Sequence, residues 1–213
     1  FDTSDPGTGK TRSWIEVILA DIESDPSRKF VVFAPKSILE PAWGADLIKF
    51  APQLSYSIAN ANNRKKAFEQ DVNIYITNHD AIKWVNNNWG TVSKDRNLYG
   101  IIIDESTAFK HRTSQRSRAA ATVTSKFARR ALLSGTPNSN GLQDLWHQVY
   151  LLDGGEHLGA NFWAYRNMVC SATQVGPSAQ HQKWDDKDGA DQAVAELIKD
   201  ITVRHVFEEC IDI

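Results

Sequence analysis

The chain has 213 residues, of which 41% are hydrophobic and 23% charged, as in an ordinary folded domain. No apolar run approaches the roughly 18 residues that a membrane-spanning helix needs, so we expect neither a membrane protein nor a membrane partner. The 24 Lys and Arg residues nearly balance the 26 Asp and Glu residues, so the total charge does not indicate a nucleic-acid-binding protein. Any basic surface must therefore be local.

The two cysteines, Cys170 and Cys210, form neither a metal-ligand cluster nor a disulfide framework in the sequence. This favours a reducing, intracellular compartment, which would be the cytoplasm, or the nucleus in a eukaryote. The first residue is Phe1 and no signal-peptide pattern follows it, so we expect the sequence to begin at a cut edge.

Short β-branched or aromatic runs predict buried strands at residues 30–33, 72–76, 100–103 and 131–133. Amphipathic patterns between and after them predict helices at residues 11–22, 40–50 and 142–152. Strands that alternate with helices are typical of βαβ units. The predicted fold class is therefore α/β, with a mainly parallel β-sheet flanked by helices.

The pattern changes after residue 152, where two glycines precede an aromatic, helix-like stretch at residues 162–165. A polar segment at residues 171–191 has few strand signals, and a last helix is predicted at residues 190–207. We therefore expect one lobe at residues 1–152. Residues 153–213 are expected to form a mostly helical appendage that packs on the same lobe.

Charge is unevenly distributed along the chain. Residues 110–130 contain seven basic and no acidic residues, whereas residues 183–213 contain four basic and nine acidic residues. The basic stretch is either a surface that faces phosphates or the solvated face of a helix, and composition does not decide between them.

Residues 4–11 read Ser-Asp-Pro-Gly-Thr-Gly-Lys-Thr, which fits the P-loop pattern except that Ser4 replaces the first glycine. Gly7 and Gly9 let backbone N–H groups curve around phosphate oxygens, Lys10 reaches the terminal phosphates, and Thr11 can bind Mg²⁺. An amphipathic helix follows directly, which argues against a chance match. The expected nucleotide-binding residues are Pro6, Gly7, Thr8, Gly9, Lys10, Thr11 and Arg12.

Residues 100–105, Gly-Ile-Ile-Ile-Asp-Glu, predict a buried strand that ends in two carboxylates. In a nucleotide-hydrolysing site, Asp104 would hold Mg²⁺ and Glu105 would orient the attacking water. The alternative is an exposed acidic turn, which the P-loop upstream disfavours. We therefore expect Glu105, Asp104 and Lys10 to be catalytic, and Thr11 and Asp104 to bind the metal.

A third motif, Ser134-Gly135-Thr136-Pro137, follows the predicted strand at residues 131–133. Alone it is an ordinary turn of small residues. Placed after a P-loop and an Asp-Glu strand, it becomes a candidate for sensing the terminal phosphate.

The order of these motifs resembles the first RecA-like lobe of superfamily 2 helicases and translocases, and their details resemble the SNF2 family over essentially the full chain. Residues 5–11 resemble that family's Asp-Glu-Met-Gly-Leu-Gly-Lys-Thr, and residues 104–107 stand where it has Asp-Glu-Ala-His. Residues 114–117, Ser-Gln-Arg-Ser, and residues 134–137 are also similar to its motifs. The Asp-Glu-Ser variant resembles phage and bacterial members.

The resemblance implies a RecA-like P-loop NTPase lobe that binds ATP and Mg²⁺, hydrolyses ATP and moves on duplex DNA without sequence preference. Ser134, Gly135 and Thr136 would couple hydrolysis to movement. Loops at strand ends can present hydroxyl and N–H groups to DNA phosphates, so the expected contacts are Lys36, Ser37, Thr77 and Asn78. A second RecA-like lobe is absent from the chain. Since that lobe supplies an arginine finger in the family, we expect weak hydrolysis by this lobe alone.

One departure from the family concerns Thr107, which replaces the histidine that links nucleotide state to the Ser-Gly-Thr-Pro element. We therefore expect the coupling to be altered while hydrolysis is retained.

Three other functions stay open: a strand-separating DNA or RNA helicase of superfamily 2, a nucleotide- or DNA-binding module without turnover, and a small-molecule P-loop kinase. Asn140 and Leu145-Trp146 also resemble the SNF2 family's Asn and Glu-Leu-Trp. These matches and the one at residues 114–117 argue against the helicase, and Glu105 argues against the simple binding module. The third motif and the basic stretch disfavour the kinase.

Overall fold

The computed structural model describes residues 1–177 and 181–210, and its centre is a five-stranded sheet in the order β2-β3-β1-β4-β5. Every pair of neighbouring strands is parallel. The strands are β1 (Arg28–Ala34), β2 (Tyr56–Ala59), β3 (Ile74–Asn78), β4 (Asn97–Asp104) and β5 (Arg129–Leu133). Beyond β5, Asp2 pairs in parallel with Leu133, and Val203 pairs in parallel with Asp2.

Helices cover both faces of the sheet. They are α1 (Lys10–Ser24), α2 (Ala45–Phe50), α3 (Arg64–Glu69), α4 (Ala81–Asn87), α5 (Trp89–Val92), α6 (Gln115–Thr124), α7 (Gln143–Asp153), α8 (Phe162–Val169) and α9 (Ala190–Leu197). A π-helical turn, Leu39–Gly44, leads directly into α2. Within residues 1–177 and 181–210, no helix combines the length and apolarity that crossing a bilayer demands.

The alternation of side chains along β1 explains the two cores. Phe30 and Val32 are buried with Ile15 of α1 in one cluster, whereas Val31 and Phe33 are buried in the other, with residues of α4, α6 and α7. A parallel strand covered on both faces reads as a continuous hydrophobic run. This is why the strands at the centre of the sheet are predicted from the sequence.

Strand β2 is not predicted. It is a four-residue edge strand in which Ser57 and Ala59 are buried, while Tyr56 and Ile58 are half-buried against the other core cluster, so it lacks the continuous apolar run of the central strands. The helix predicted at residues 40–50 is present, but its first five residues, 40–44, lie in the π-helical turn.

The appendage also differs from the expectation of a mostly helical segment. Strands β6 (Cys170–Gln174) and β7 (Gln182–Asp186) form an antiparallel hairpin where few strand signals are present. Nearly all of its side chains are exposed, so pairing depends on the backbone and leaves no hydrophobic alternation. The helix predicted at residues 190–207 ends at Leu197. The chain then extends, and Val203 exchanges backbone hydrogen bonds with Phe1 and Thr3.

The close packing of Gly100 against Phe30 generates a stability prediction. These residues are partners on β4 and β1, and a Cβ atom on Gly100 would lie 2.1 Å from Phe30 Cε1. Phe30 is fully buried, so its ring has little room to move. We predict that Gly100→Ala lowers the free energy of unfolding by about 1–3 kcal/mol, as measured by urea denaturation.

Gly90→Ala is the matched control, because a Cβ atom on this helical glycine meets no atom within 4 Å. This variant is expected to be as stable as the wild type or more stable by about 0.4–1 kcal/mol. Equal urea midpoints for the two variants would contradict the prediction.

Candidate active site

Three motifs meet at the carboxyl edge of the sheet. Strand β4 ends in Asp104, β5 ends just before Ser134, and the segment that pairs beside β5 at Asp2 leads into the loop at residues 4–9. Because β5 lies between the other two segments, the loop, the turn at residues 134–137 and the Asp-Glu pair are neighbours. A cleft at the carboxyl ends of parallel strands is the usual place for a ligand in such a fold.

The loop at residues 4–9 has the backbone geometry of an anion cradle. Gly7 and Gly9 both have a φ of 84°, in the left-handed region that favours glycine. Helix α1 then starts at Lys10, with no side-chain cap and no acidic residue in its first turn. Its first N–H groups and its dipole are therefore available to phosphate oxygens.

The ammonium of Lys10 lies inside this loop. Its Nζ donates to the carbonyl oxygens of Ser4 at 2.7 Å and Asp5 at 3.0 Å. Thr11 follows it in the first turn of α1, whereas Arg12 points outward, with its guanidinium 4.6 Å from the Phe50 ring centroid. The Arg12 guanidinium therefore lies apart from the Lys10 ammonium.

The Asp104 carboxylate is buried and doubly hydrogen-bonded. Oδ2 accepts from the Trp43 indole Nε1 at 2.9 Å, and Oδ1 accepts from the backbone N–H of Glu105 at 2.9 Å. Burial raises the pKa of Asp104, while these two donors and the nearby charge of Lys10 oppose the rise. The surroundings thus partly compensate for placing a carboxylate out of water.

Glu105 has a φ of 51°, a left-handed conformation that costs a residue with a side chain roughly 1–2 kcal/mol. Partial burial raises the pKa of its carboxyl group, as does the charge of neighbouring Asp104, whereas Lys10 lowers it. Strain at such a residue is typical of a functional site.

Two further residues support Asp104, and sequence analysis did not assign either one to the site. Trp43 is fully buried and reaches Asp104 from the π-helical turn, across 61 positions of sequence. His79 donates from Nε2 to the Asp104 carbonyl oxygen at 2.7 Å. Burial lowers the pKa of His79, which favours the neutral ring with its proton on Nε2. For Trp43, the signal that could have been used is that a buried indole N–H needs a hydrogen-bond acceptor.

The turn at residues 134–137 packs directly on the loop. A Cβ atom at Gly135 would lie 2.9 Å from Pro6 Cδ, so a larger residue would push the two segments apart. Ser134 is buried and its Oγ accepts from the Thr136 N–H at 3.2 Å, while Thr136 itself is exposed. The structure therefore brings all three motifs together.

The expected DNA contacts are only partly grouped. Lys36 and Ser37 are exposed after β1, and the half-buried Asn78 ends the neighbouring β3. Thr77 does not share this surface: it is fully buried, and its hydroxyl donates to the Ala59 carbonyl oxygen at 2.7 Å. Successive residues of a strand face opposite sides, so Thr77 and Asn78 cannot both point outward.

The basic stretch at residues 110–130 is not a single open surface. Lys110 lies 2.8 Å from Asp144, Arg116 lies 2.6 Å from Asp80, and Arg129 lies 2.6 Å from Asp21. These three side chains form ion pairs that join the segment to other elements. They therefore fit neither a surface that faces phosphates nor the solvated face of a helix.

A comparison with known families agrees with this geometry, because the model of the SNF2-related domain matches residues 3–210. The chain belongs to the SNF2-related domain family. The predicted family and the predicted RecA-like α/β fold are thus confirmed.

Relatives of this SNF2-related chain come from phage and bacteria as well as from plants and animals. It is 27% identical over 212 residues to "Putative protein p41" of Acyrthosiphon pisum secondary endosymbiont phage 1, covering 92% of this chain and 44% of that protein. It is 32% identical over 148 residues to an "Uncharacterized ATP-dependent helicase" of Mycoplasma pneumoniae, covering 66% of this chain and 13% of the relative.

The fold is similar to the SWI2/SNF2 ATPase core of Sulfolobus solfataricus, which was solved in complex with dsDNA. The TM-score is 0.73 at 22% identity, and the match covers 99% of this chain and 41% of that one. The chain therefore spans less than half the length of the relatives it matches.

The indole of Trp43 generates a prediction about metal binding. Trp43→Phe removes one of the two donors to the buried Asp104 carboxylate, so the ionised form that would bind a metal becomes less favourable. Since hydrogen bonds to charged groups contribute about 1.5–3 kcal/mol, we expect about 10- to 100-fold weaker binding of Mg²⁺ with ADP, measured by titration calorimetry.

Trp146→Phe is the control, because the buried Trp146 indole donates to the Gly159 carbonyl oxygen at 2.9 Å and not to Asp104. This variant should bind Mg²⁺ with ADP as the wild type does. The prediction is wrong if both variants bind with the wild-type affinity.

A buried histidine behind the site generates a prediction about pH. His147 donates from Nδ1 to the Phe109 carbonyl oxygen at 2.7 Å, and burial lowers its pKa from 6.5 to about 4. Between these values the unfolded chain binds a proton that the folded chain does not. The contribution of His147 to the free energy of unfolding is therefore fully present above pH 6.5. It is lost as the pH is lowered towards 4, by up to about 3 kcal/mol.

His147→Gln can keep an N–H donor for Phe109 but does not titrate. We expect its free energy of unfolding, from urea denaturation at several pH values, to fall less across this window than that of the wild type. Parallel pH profiles for the two proteins would show that His147 is not the responsible group.

Proposed function

We propose that this chain is the first RecA-like, ATP-hydrolysing lobe of an SNF2-type motor that moves on duplex DNA without sequence preference. The observation that carries this proposal is the meeting of three elements at one sheet edge: the loop that encloses the Lys10 ammonium, the Asp104-Glu105 pair and the turn at residues 134–137. We assign residues 1–152 to the ATP-binding lobe. Residues 153–213 are assigned to the protrusion and to the C-terminal segment that packs on this same lobe.

The residues present fit Mg²⁺ bound together with a nucleotide. Among residues 1–177 and 181–210, no three His, Cys, Asp or Glu side chains group into a site that could hold a metal by themselves. Mg²⁺ commonly takes one or two protein ligands and completes its shell with water and phosphate oxygens, so Thr11 and Asp104 would suffice. When bound, the ion would neutralise charge on the terminal phosphates.

The chain's own groups then have separate tasks. The N–H groups of Gly7 and Gly9 and of the first turn of α1 bind phosphate oxygens. The Lys10 ammonium leaves the carbonyl oxygens of Ser4 and Asp5 and donates instead to oxygens of the terminal phosphates. Glu105 accepts a hydrogen bond from the attacking water, and its raised pKa makes it a better proton acceptor than an ordinary carboxylate.

The adjoining surface supports a duplex DNA partner. Lys36 and Ser37 follow β1, and Asn78 is the last residue of β3. Both strands lie on the far side of β4 from the loop. A cation, a hydroxyl and an amide suit phosphate contacts, which position a protein on DNA without reading bases. The relative from Sulfolobus solfataricus was solved with dsDNA, which favours a duplex over a single strand.

A second RecA-like lobe would complete the ATP cleft. The chain covers 41% of the Sulfolobus solfataricus chain, which leaves room for such a lobe in the longer protein. A finger supplied from a second lobe can contribute about 10³- to 10⁵-fold in rate, so this lobe alone should turn over ATP slowly.

The test is ATP hydrolysis by the longer protein, with its second lobe, in the presence of duplex DNA, single-stranded DNA or RNA. We predict stimulation by the duplex, and a loss of turnover of about 10²- to 10⁴-fold in Glu105→Gln with nucleotide binding retained. Glu23→Gln, an exposed change at the far end of α1, is the matched control and should be fully active.

The other outcomes separate the alternatives. A preference for single strands or RNA would favour a strand-separating helicase and overturn the duplex motor. Tight binding of Mg²⁺ and ATP without turnover on any nucleic acid would indicate a binding module.

A further inference from the structure

A buried chain of hydrogen bonds joins the end of β4 to the turn at residues 134–137. The Ser106 hydroxyl donates to Gln148 Oε1 at 2.6 Å, and Gln148 Nε2 donates to the Pro137 carbonyl oxygen at 2.7 Å. The same Nε2 also donates to the Asp144 carbonyl oxygen at 2.9 Å. Both Ser106 and Gln148 are fully buried.

The orientation of the Gln148 amide is fixed by its partners. Two carbonyl oxygens lie beside Nε2, and a carbonyl oxygen can only accept a hydrogen bond. Turning the amide over would place Oε1 against both of them. The Ser106 hydroxyl must therefore donate to Oε1. Only this arrangement gives a hydrogen-bond partner to the Ser106 hydroxyl, both ends of the Gln148 amide and the Pro137 carbonyl oxygen.

The two ends of this series of hydrogen bonds lie next to the groups that would act on ATP. Ser106 directly follows Glu105, whose backbone is held in the left-handed conformation. Pro137 closes the turn whose Gly135 touches Pro6 of the loop. A shift of the turn relative to β4 would stretch or break the hydrogen bonds of Gln148.

Helix α7 provides a rigid support for this link. On the same helix, His147 donates to the Phe109 carbonyl oxygen at 2.7 Å, and Asp144 pairs with Lys110 at 2.8 Å while accepting from the Asn140 N–H at 3.0 Å. The helix thus holds the segment after Glu105 and the segment after Pro137 together.

The chemistry of position 148 is informative because several of its buried neighbours on α7 are apolar, alongside the polar Asp144 and His147. Leu145, Val149 and Leu151 are buried, so an apolar side chain at position 148 would bury more hydrophobic surface. A buried amide contributes little net stability, but it defines one relative position of the groups that it joins.

We infer that Ser106 and Gln148 are positioning residues that transmit the state of the turn at residues 134–137 to Glu105. This inference deepens the proposed function and rests on it. It gives the chain a coupling route that does not use Thr107, the residue found where a histidine was expected.

The test uses the longer protein with its second lobe and the variants Gln148→Met, Ser106→Ala and their combination. We expect each single variant to lower the ratio of DNA-stimulated to basal ATP turnover by about fivefold or more, with basal turnover within about twofold of the wild type. Because both residues act through one link, the double variant should lose no more than either single variant.

Ser117→Ala is the matched control. Ser117 is also a fully buried serine beside the same segment, and its hydroxyl donates to the Phe109 carbonyl oxygen at 2.9 Å, outside the link. It should lose stability to urea much as Ser106→Ala does, yet keep the wild-type stimulation ratio. Equal loss of the ratio in Ser117→Ala would reduce the effect to packing and overturn the inference.

Hydrogen exchange separates this inference from the proposed function. In the wild type, Mg²⁺·ADP with beryllium fluoride should slow exchange at residues 106–110 and 134–140 together, relative to Mg²⁺·ADP. In Gln148→Met, beryllium fluoride should slow hydrogen exchange in only one of these two segments.

Joint protection in the wild type without any DNA stimulation would contradict the motor but support the link. Joint protection that persists in Gln148→Met, or none in the wild type, would overturn the link.

Discussion

The burial of the Asp104 carboxylate is the constraint on which the rest of the site depends. A carboxylate removed from water costs several kcal/mol unless hydrogen bonds replace its hydration. Here the Trp43 indole and the Glu105 N–H supply those bonds, and His79 binds the carbonyl oxygen of the same residue. These partners of Asp104 come from three elements, so the bonds to its carboxylate and carbonyl oxygen together fix the ends of β4 and β3 and the turn after β1.

The parallel sheet makes this arrangement possible because it gathers unrelated segments at one edge. Strands buried on both faces tolerate little change in their side chains, so chemical groups are placed in the segments that follow them. Close approach then demands small residues. Gly135 fits against Pro6 for that reason, and the loop at residues 4–9 and the turn at residues 134–137 become one surface although 129 positions of sequence separate Pro6 from Gly135.

Features coded by neighbouring residues could be predicted, and features that arise from contacts between distant residues could not. The central strands and the two motifs at residues 4–11 and 104–105 are local patterns, and both were read from the sequence. Trp43 and Gln148 act on residues 61 and 42 positions away.

Strand β2 and the β6–β7 hairpin were missed for a different reason. Strand β2 is short and lacks a continuous apolar run, and nearly all side chains of the hairpin are exposed, so neither gives the hydrophobic signal of the central strands. The expectation for Thr77 failed because alternation along β3 turns that hydroxyl inward, a consequence of strand register that the motif alone does not contain.

The loop at residues 4–9 also depends on a segment near the other end of the chain. The N–H of Asp5 donates to the His205 carbonyl oxygen at 3.0 Å, and the His205 N–H donates to Ser4 Oγ at 3.0 Å. Ser4 and Asp5 are the residues whose carbonyl oxygens hold the Lys10 ammonium. The position of Lys10 is thus determined from two sides, by β5 through Asp2 and by the segment around residue 205. Displacing that segment would remove hydrogen bonds from the two residues that orient the lysine.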